Sequence, residues 1–306
     1  MIGTSKANRE LMNSLELKAH AKINLTLDVL GRRSDGYHEI RSVMQALELH
    51  DLVSVRGTSA GLKVTCDDPR VPGGEENIVA RAAAVLREFC GCRAGAVIGI
   101  QKRIPLAAGL AGGSSDAAAA LLGLNQVWNL GLDRAELLCL AARVGSDVPF
   151  CLLGGTALAE GRGEMVSPLP AAPEIQVVLA KPDAPKSTGS VYAALKVSEI
   201  RHHPDSEAMA QALRNSDLFA AGRLLGNVLE DVMVPGFPVI AAIKEEMLGL
   251  GALGALMTGS GPTVYGLART EEDAREIAAG ISARFAGVDS TPEILVTRTL
   301  RALPLA

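Results

Sequence analysis

The stretch Pro105-Leu106-Ala107-Ala108-Gly109-Leu110-Ala111-Gly112-Gly113-Ser114-Ser115-Asp116 runs straight into Ala117-Ala-Ala-Ala-Leu-Leu, a strong helix former. A turn of this kind gathers several backbone N–H groups and the positive end of a helix dipole around one small volume, which suits a phosphate. Small residues let the backbone approach the anion closely, and the hydroxyls of Ser114 and Ser115 can donate to it or bind a cation. A plain helix N-cap with a flexible entry is the alternative, since Ser and Asp favour that place. One cap does not need three glycines and two serines, so the loop is read as a phosphate cradle. It is not a Walker A loop, because Gly113 rather than Lys precedes Ser114. A dinucleotide pattern does occur, Gly249-Leu-Gly251-Ala-Leu-Gly254, but it follows a helix-like run and precedes a strand-like one. That is the reverse of a dinucleotide turn, and the pattern reads as a helix C-terminal stop.

The rest of the composition narrows the class. The 306 residues, 48% of them hydrophobic, can bury a large core, and the length predicts about two domains. A net charge of -4 argues against nucleic acid as a partner, and aromatics at 3% leave no stacking platform for single strands. The five cysteines are scattered without a second pair at metal spacing. No apolar run reaches the ~18 residues of a membrane span. Residues 1–14 are polar without an apolar core, so they read as a poorly ordered leader rather than a secretory signal. The expectation is a cytoplasmic protein with no membrane partner, a monomer or weak homodimer acting on small molecules.

Strand and helix patterns interleave without strict βαβ order, predicting two α+β domains. Strands are expected over 15–30, 41–55, 96–102, 154–159, 175–180, 255–258, 263–267 and 293–297, and helices over 77–89, 116–128, 134–144, 206–213, 217–225, 238–248 and 271–285. Asp133 with Glu136 reads as the opening of one helix. Pro168, Pro170 and Pro173 mark a joint, so the domains are drawn as 15–166 and 167–306.

Three more segments set polar groups in apolar backbone. In Ala21-Lys22-Ile23-Asn24-Leu25, period 2 puts Lys22 and Asn24 on one strand face. They could orient a hydroxyl and a carboxylate, or form a solvated face. In Gly145-Ser-Asp147-Val-Pro149-Phe, Pro149 biases Val148 toward extended backbone. Asp147 could then act as base to an alcohol, or merely make an Asx turn. Thr258-Gly-Ser-Gly-Pro-Thr263 is a second glycine turn, which alone reads as a tight hairpin.

Taken together, these four segments resemble the blocks of the GHMP small-molecule kinases, in order and spacing over nearly the whole chain after residue 14. Homoserine, galactose and mevalonate kinases share the glycine loop but not Gly31-Arg-Arg-Ser-Asp-Gly-Tyr37-His38, which resembles the member acting on a cytidine diphosphate-linked methylerythritol. The resemblance implies a two-domain α+β GHMP kinase fold, with an N-terminal ribosomal-protein-S5-like nucleotide domain and a C-terminal ferredoxin-like domain. It implies ATP-dependent phosphorylation of the C2 hydroxyl, with ATP and Mg²⁺ as cofactors. Lys22 and Asp147 match the catalytic pair, and Pro105 to Ser115 the ATP loop, with Asn77 and Lys102 near the adenosine. Asn24, Tyr37, His38, Thr188 and Tyr192 match substrate positions, Tyr37 and Tyr192 closing on the cytosine. Ser115 with the ATP phosphates is the expected metal holder. His202 and His203 are expected to be solvent-exposed without a ligand. The other readings are a homoserine-type kinase and a non-catalytic sensor on the same fold. Tyr37-His38 disfavours the first, and the presence of both Lys22 and Asp147 the second.

Overall fold

The structure is a computed structural model and describes residues 14–287 and 291–302. The expected leader lies outside the described residues except for Ser14, which begins a strand. In chain order the elements are β1 (Ser14–Asn24), β2 (Thr26–Arg32), β3 (His38–Thr58), β4 (Leu62–Cys66), α1 (Ile78–Cys90), β5 (Gly95–Gln101), α2 (Gly112–Val127), α3 (Arg134–Val144) and α4 (Val148–Leu153). They continue with β6 (Thr156–Gly161), β7 (Met165–Pro168), β8 (Gln176–Lys181), α5 (Thr188–Ala194), α6 (Ser206–Arg214), α7 (Leu218–Arg223) and β9 (Gly226–Asn227). The last are α8 (Glu230–Gly236), α9 (Val239–Gly249), β10 (Gly254–Met257), β11 (Val264–Ala268), α10 (Glu271–Arg284) and β12 (Glu293–Arg298).

Packing divides the chain into two units, one of residues up to 21, 50–104 and 111–152, the other of 22–49, 105–110 and 153 onward. This differs from a division at 166/167. β1 and β3 are long enough to contribute to both units, and the proline segment is not a loose joint. Ser167 and Pro168 end β7, paired with Leu158 and Ala157 of β6. A proline is tolerated there because β7 pairs only with β6 and Pro168 is its last residue.

In the first unit, β5 runs parallel to β4 and antiparallel to the second half of β3. Helices α1, α2 and α3 pack on one another over a core that includes Val53, Val55, Ile98, Leu86, Leu121 and Leu140. The alanine run of α2 is buried because small side chains bring α1 and α2 close. Gly123 has a tighter reason, since a Cβ there would lie 2.7 Å from Val55. On α1, Ala82, Val85 and Leu86 are buried, Ile78 is half-buried and Phe89 at the end is exposed. Asp133 and Glu136 form the full capping box of α3.

In the second unit, β8, β10, β11 and β12 form an antiparallel sheet in the order β10-β11-β8-β12. With helices between β8 and β10 and α10 between β11 and β12, this is the ferredoxin-like order. Its core includes Val178, Met257, Val264, Ile240, Ile243 and Ile277. β3 also pairs with β2 and β6 here, and β9 adds to β2 in parallel. Gly249 to Gly254 joins α9 to β10, a helix stop as read.

Candidate active site

Helix α2 starts at Gly112, four residues earlier than the sequence pattern implies, because the glycines and serines themselves form its first turn. Its first helical bond among the serines is Ser115 N–H to the Ala111 carbonyl, 2.9 Å. The N–H groups of Gly112 to Ser114 therefore lack intrahelical acceptors. No side chain caps this end, and the N-cap residue is Ala111 in left-handed backbone. Ala107, Gly109 and Ala111 have φ of 51°, 73° and 59°. Left-handed residues at every second position turn successive N–H groups to one side, a concavity that suits an anion. The plain N-cap alternative therefore does not describe this helix end.

In the second unit, the loop's first half meets the second glycine turn. A Cβ on Gly109 would lie 2.4 Å from the Thr258 carbonyl oxygen. A Cβ on Gly259 would lie 3.0 Å from the Gly109 carbonyl and 3.3 Å from Lys22 Nζ. The hairpin reading of that turn is correct, and its glycines also leave room for Lys22. The Lys22 N–H donates to the Leu110 carbonyl at 3.1 Å.

Lys22 is 3% exposed and Asn24 2%, which excludes a solvated strand face. Lys22 Nζ donates to Asn24 Oδ1 at 2.7 Å, and Asn24 Nδ2 to Ser42 Oγ at 2.8 Å. The Asn24 backbone is held as well, its N–H by Thr258 Oγ1 and its carbonyl by the Tyr265 hydroxyl. Asn24 is thus one partner that holds the Lys22 side chain. Sequence reading missed Asn227, buried on β9, whose Nδ2 donates to the carbonyls of Met257 (2.7 Å) and Gly259 (2.8 Å). A lone Asn in the apolar run Gly226-Asn227-Val228-Leu229 was the available signal.

The substrate positions lie in the same unit. The Thr188 hydroxyl pairs with Ser260 Oγ at 2.9 Å. The His38 and Tyr192 rings stand 5.4 Å apart at 33°. Burial, helped by Arg32, lowers the His38 pKa, which favours a neutral imidazole. Tyr37 is 54% exposed, and its ring contact is the Arg162 guanidinium, 4.9 Å from the centroid. His202 and His203 are both exposed as expected, and His203 Nδ1 also bonds to buried Asp28 Oδ1 at 2.7 Å. Asp28, on the adjacent β2, supplies an acceptor that the local sequence around His203 does not show.

In the first unit, Asp147 precedes α4, and its carbonyl accepts the Cys151 N–H at 3.0 Å. Val148 is helical rather than extended, because Pro149 falls in the first turn, where a missing N–H costs nothing. Asn77 caps α1, its Oδ1 accepting the Val79 N–H and its Nδ2 donating to the Pro72 carbonyl, both at 2.9 Å. The Lys102 side chain is buried, with Nζ donating to Asp51 and, at 2.8 Å, to Asp116 just after the first turn of α2. Asp51 also takes the N–H groups of Arg103 and Ile104. Burial pushes the Asp116 carboxyl up to about 7, with Asp51 adding to the rise and Lys102 opposing it. Burial pulls Lys102 down, but the two carboxylates outweigh it and its pKa is raised. These bonds hold the Lys102 ammonium beside the start of α2. Ser115 Oγ donates to the His20 carbonyl at 2.5 Å, whereas the Ser114 hydroxyl has no partner among the described residues. Among those residues no cluster of His, Cys, Asp and Glu could hold a metal by itself.

Residues 77–155 match the GHMP kinases N terminal domain, and residues 209–287 the GHMP kinases C terminal. A 4-diphosphocytidyl-2-C-methyl-D-erythritol kinase of Pelotomaculum thermopropionicum is 50% identical over 282 residues, 92% of this chain and 96% of that protein. One from Symbiobacterium thermophilum is 52% identical over 259 residues, 84% of this chain and 92% of that protein. A crystal structure of 4-(cytidine 5'-diphospho)-2C-methyl-D-erythritol kinase superposes with a TM-score of 0.78 at 35% identity, covering 93% of this chain and 99% of that one. A homoserine kinase of Cytophaga hutchinsonii, at 21% identity and a TM-score of 0.73 over 99% of this chain and 98% of that one, shares the fold.

Proposed function

We propose that this chain, which belongs to the GHMP kinase family, transfers the γ-phosphoryl group of ATP to the C2 hydroxyl of 4-diphosphocytidyl-2-C-methyl-D-erythritol, a step of the non-mevalonate route to isoprenoid precursors. The observation that carries the substrate is the near-50% identity to kinases of that name over most of both chains.

Phosphoryl transfer asks a protein chiefly to position two reactants and offset charge. The left-handed alternation of 105–111 and the uncapped start of α2 support these N–H groups as the holders of the ATP phosphates. Asp147 accepts the proton of the attacking hydroxyl. Lys22, held in part by Asn24, offsets charge on the attacking oxygen. His38 and Tyr192 with Tyr37 receive the cytosine, and Thr188 binds the same substrate. Asn77, whose side-chain amide keeps one N–H and one oxygen lone pair beyond the cap, and Lys102 near the start of α2 lie toward the adenosine.

Mg²⁺, when bound, supplies counter-charge to the β- and γ-phosphates. A Mg²⁺ site of this kind would draw mainly on the substrate phosphates and water, which fits a chain with no cluster of three or more His, Cys, Asp or Glu among the described residues. Ser115 donates its hydroxyl hydrogen to the His20 carbonyl and keeps its oxygen lone pairs, so with the ATP phosphates it would hold the metal. Residues 15–166 carry the nucleotide groups and 167–306 complete the substrate site with Thr188 and Tyr192. A cytoplasmic monomer or weak homodimer fits a reaction between two soluble small molecules. Among the described residues no helix is long and apolar enough to cross a membrane.

The test is turnover of the purified protein with ATP and a panel of alcohols. Phosphorylation of the cytidine diphosphate substrate is expected, with homoserine, mevalonate and galactose inert. Faster turnover on homoserine would replace this reading with a homoserine-type kinase.

A further inference from the structure

Arg162 stands at the tip of the turn between β6 and β7, flanked by Gly161 (φ 70°) and Gly163 (φ 109°). The turn is built around Glu164. Its carboxylate accepts the Arg162 backbone N–H at 2.6 Å and lies 3.4 Å from the Arg162 Nε. A Cβ on Gly161 would fall 3.0 Å from that carboxylate and would be strained at a φ of 70°, so glycine favours the closure of this turn. The result is a guanidinium laid over the Tyr37 ring, 4.9 Å from its centroid. Tyr37 has its own scaffold. Arg33 N–H donates to the Tyr37 carbonyl at 2.8 Å, and Tyr37 N–H donates to Asp35 Oδ1 at 3.1 Å. Arg33 is in turn paired with Asp35 and Glu39. Two separate turns are therefore tied down so that one cation meets one aromatic face, while the ring stays half exposed.

We infer that Arg162 is a positioning residue for base recognition: it occupies one face of Tyr37, locks the ring, and leaves the opposite face as the only one on which a pyrimidine can stack. This rests on the reading that Tyr37 stacks on the cytosine. A planar guanidinium suits the role because it stacks on a ring and carries its charge at any pH near neutrality, whereas an ammonium is a hydrated point charge. A ring already held in place gives up less freedom when the base arrives.

The experiment is steady-state kinetics with the cytidine diphosphate substrate on wild type, Arg162→Ala, Arg162→Lys, Tyr37→Ala and the double variant. Arg162 lies on a partly exposed turn tip, so its variants fold. Arg162→Ala is expected to raise KM for the cytidine substrate about 3- to 10-fold, with kcat and the KM for ATP unchanged. Arg162→Lys should recover only part of the loss, because the charge returns without the plane. Tyr37→Ala should raise the same KM more, and adding Arg162→Ala to it should change KM less than 2-fold. If the Arg162→Ala effect persists in full without Tyr37, or is absent while Tyr37→Ala still raises KM, the inference fails. If Tyr37→Ala itself leaves KM unchanged, the base-stacking reading beneath it fails instead.

Discussion

Lys22 is held in part by a chain of buried hydrogen bonds that passes through Asn24 to Ser42 and on to the Thr26 carbonyl. Removing the middle of that chain strands groups on both sides. Asn24→Ala should cost about 1–3 kcal/mol of stability, the penalty for each buried polar group left unpaired, and should lower kcat as Lys22 loses its orientation. Chemical denaturation with turnover checks both, and unchanged values would show that Lys22 is held by something else. Asp147→Asn keeps the shape of the turn and deletes the base. Turnover should fall ~10²–10⁴-fold while calorimetry shows ATP binding retained. More than half of wild-type turnover in that variant would remove Asp147 from the chemistry.

At the scale of an element, α2 and its approach behave as one device. Its first turn carries the outward N–H groups, and Asp116, just after that turn, is tied to Lys102. Gly112 sits at the joint, where a Cβ would lie 3.2 Å from both Lys102 Nζ and Ile104 Cγ2. Gly112→Val should therefore displace the turn and weaken ATP binding more than substrate binding. Calorimetry with each ligand separates the two, and unchanged nucleotide affinity would count against the phosphate-loop reading. Gly109 is constrained differently, by a left-handed φ and by backbone 2.4 Å from where its Cβ would be. Backbone cannot step aside as a side chain can, so Gly109→Ala should destabilise the protein as well as slow it.

For the whole molecule, ligand binding should appear as stability. At about 100 times its Kd, a ligand that binds only the folded state adds ~2.7 kcal/mol. ATP and the cytidine diphosphate substrate should each raise the melting temperature, and homoserine should not. A thermal shift with homoserine alone, and none with the cytidine compound, would point to the other substrate class.

Much of this protein was legible along the chain because the cues were local. Periodicity, the Asp133–Glu136 cap and the glycine spacing of the loop act over a few residues, so the principal helices and strands and the Lys22, Asp147 and Tyr37 segments could be read in order. Short elements such as β4, α5 and α8 carry too few residues for a period to show. The remaining features depend on groups brought together from far along the chain. Asn24 meeting Ser42 and Thr258, Asn227 holding the second glycine turn, Lys102 between Asp51 and Asp116, and Arg162 over Tyr37 have no signature in either partner's neighbourhood. A buried polar atom must find a partner wherever the fold provides one, so only the tertiary structure decided which groups those would be.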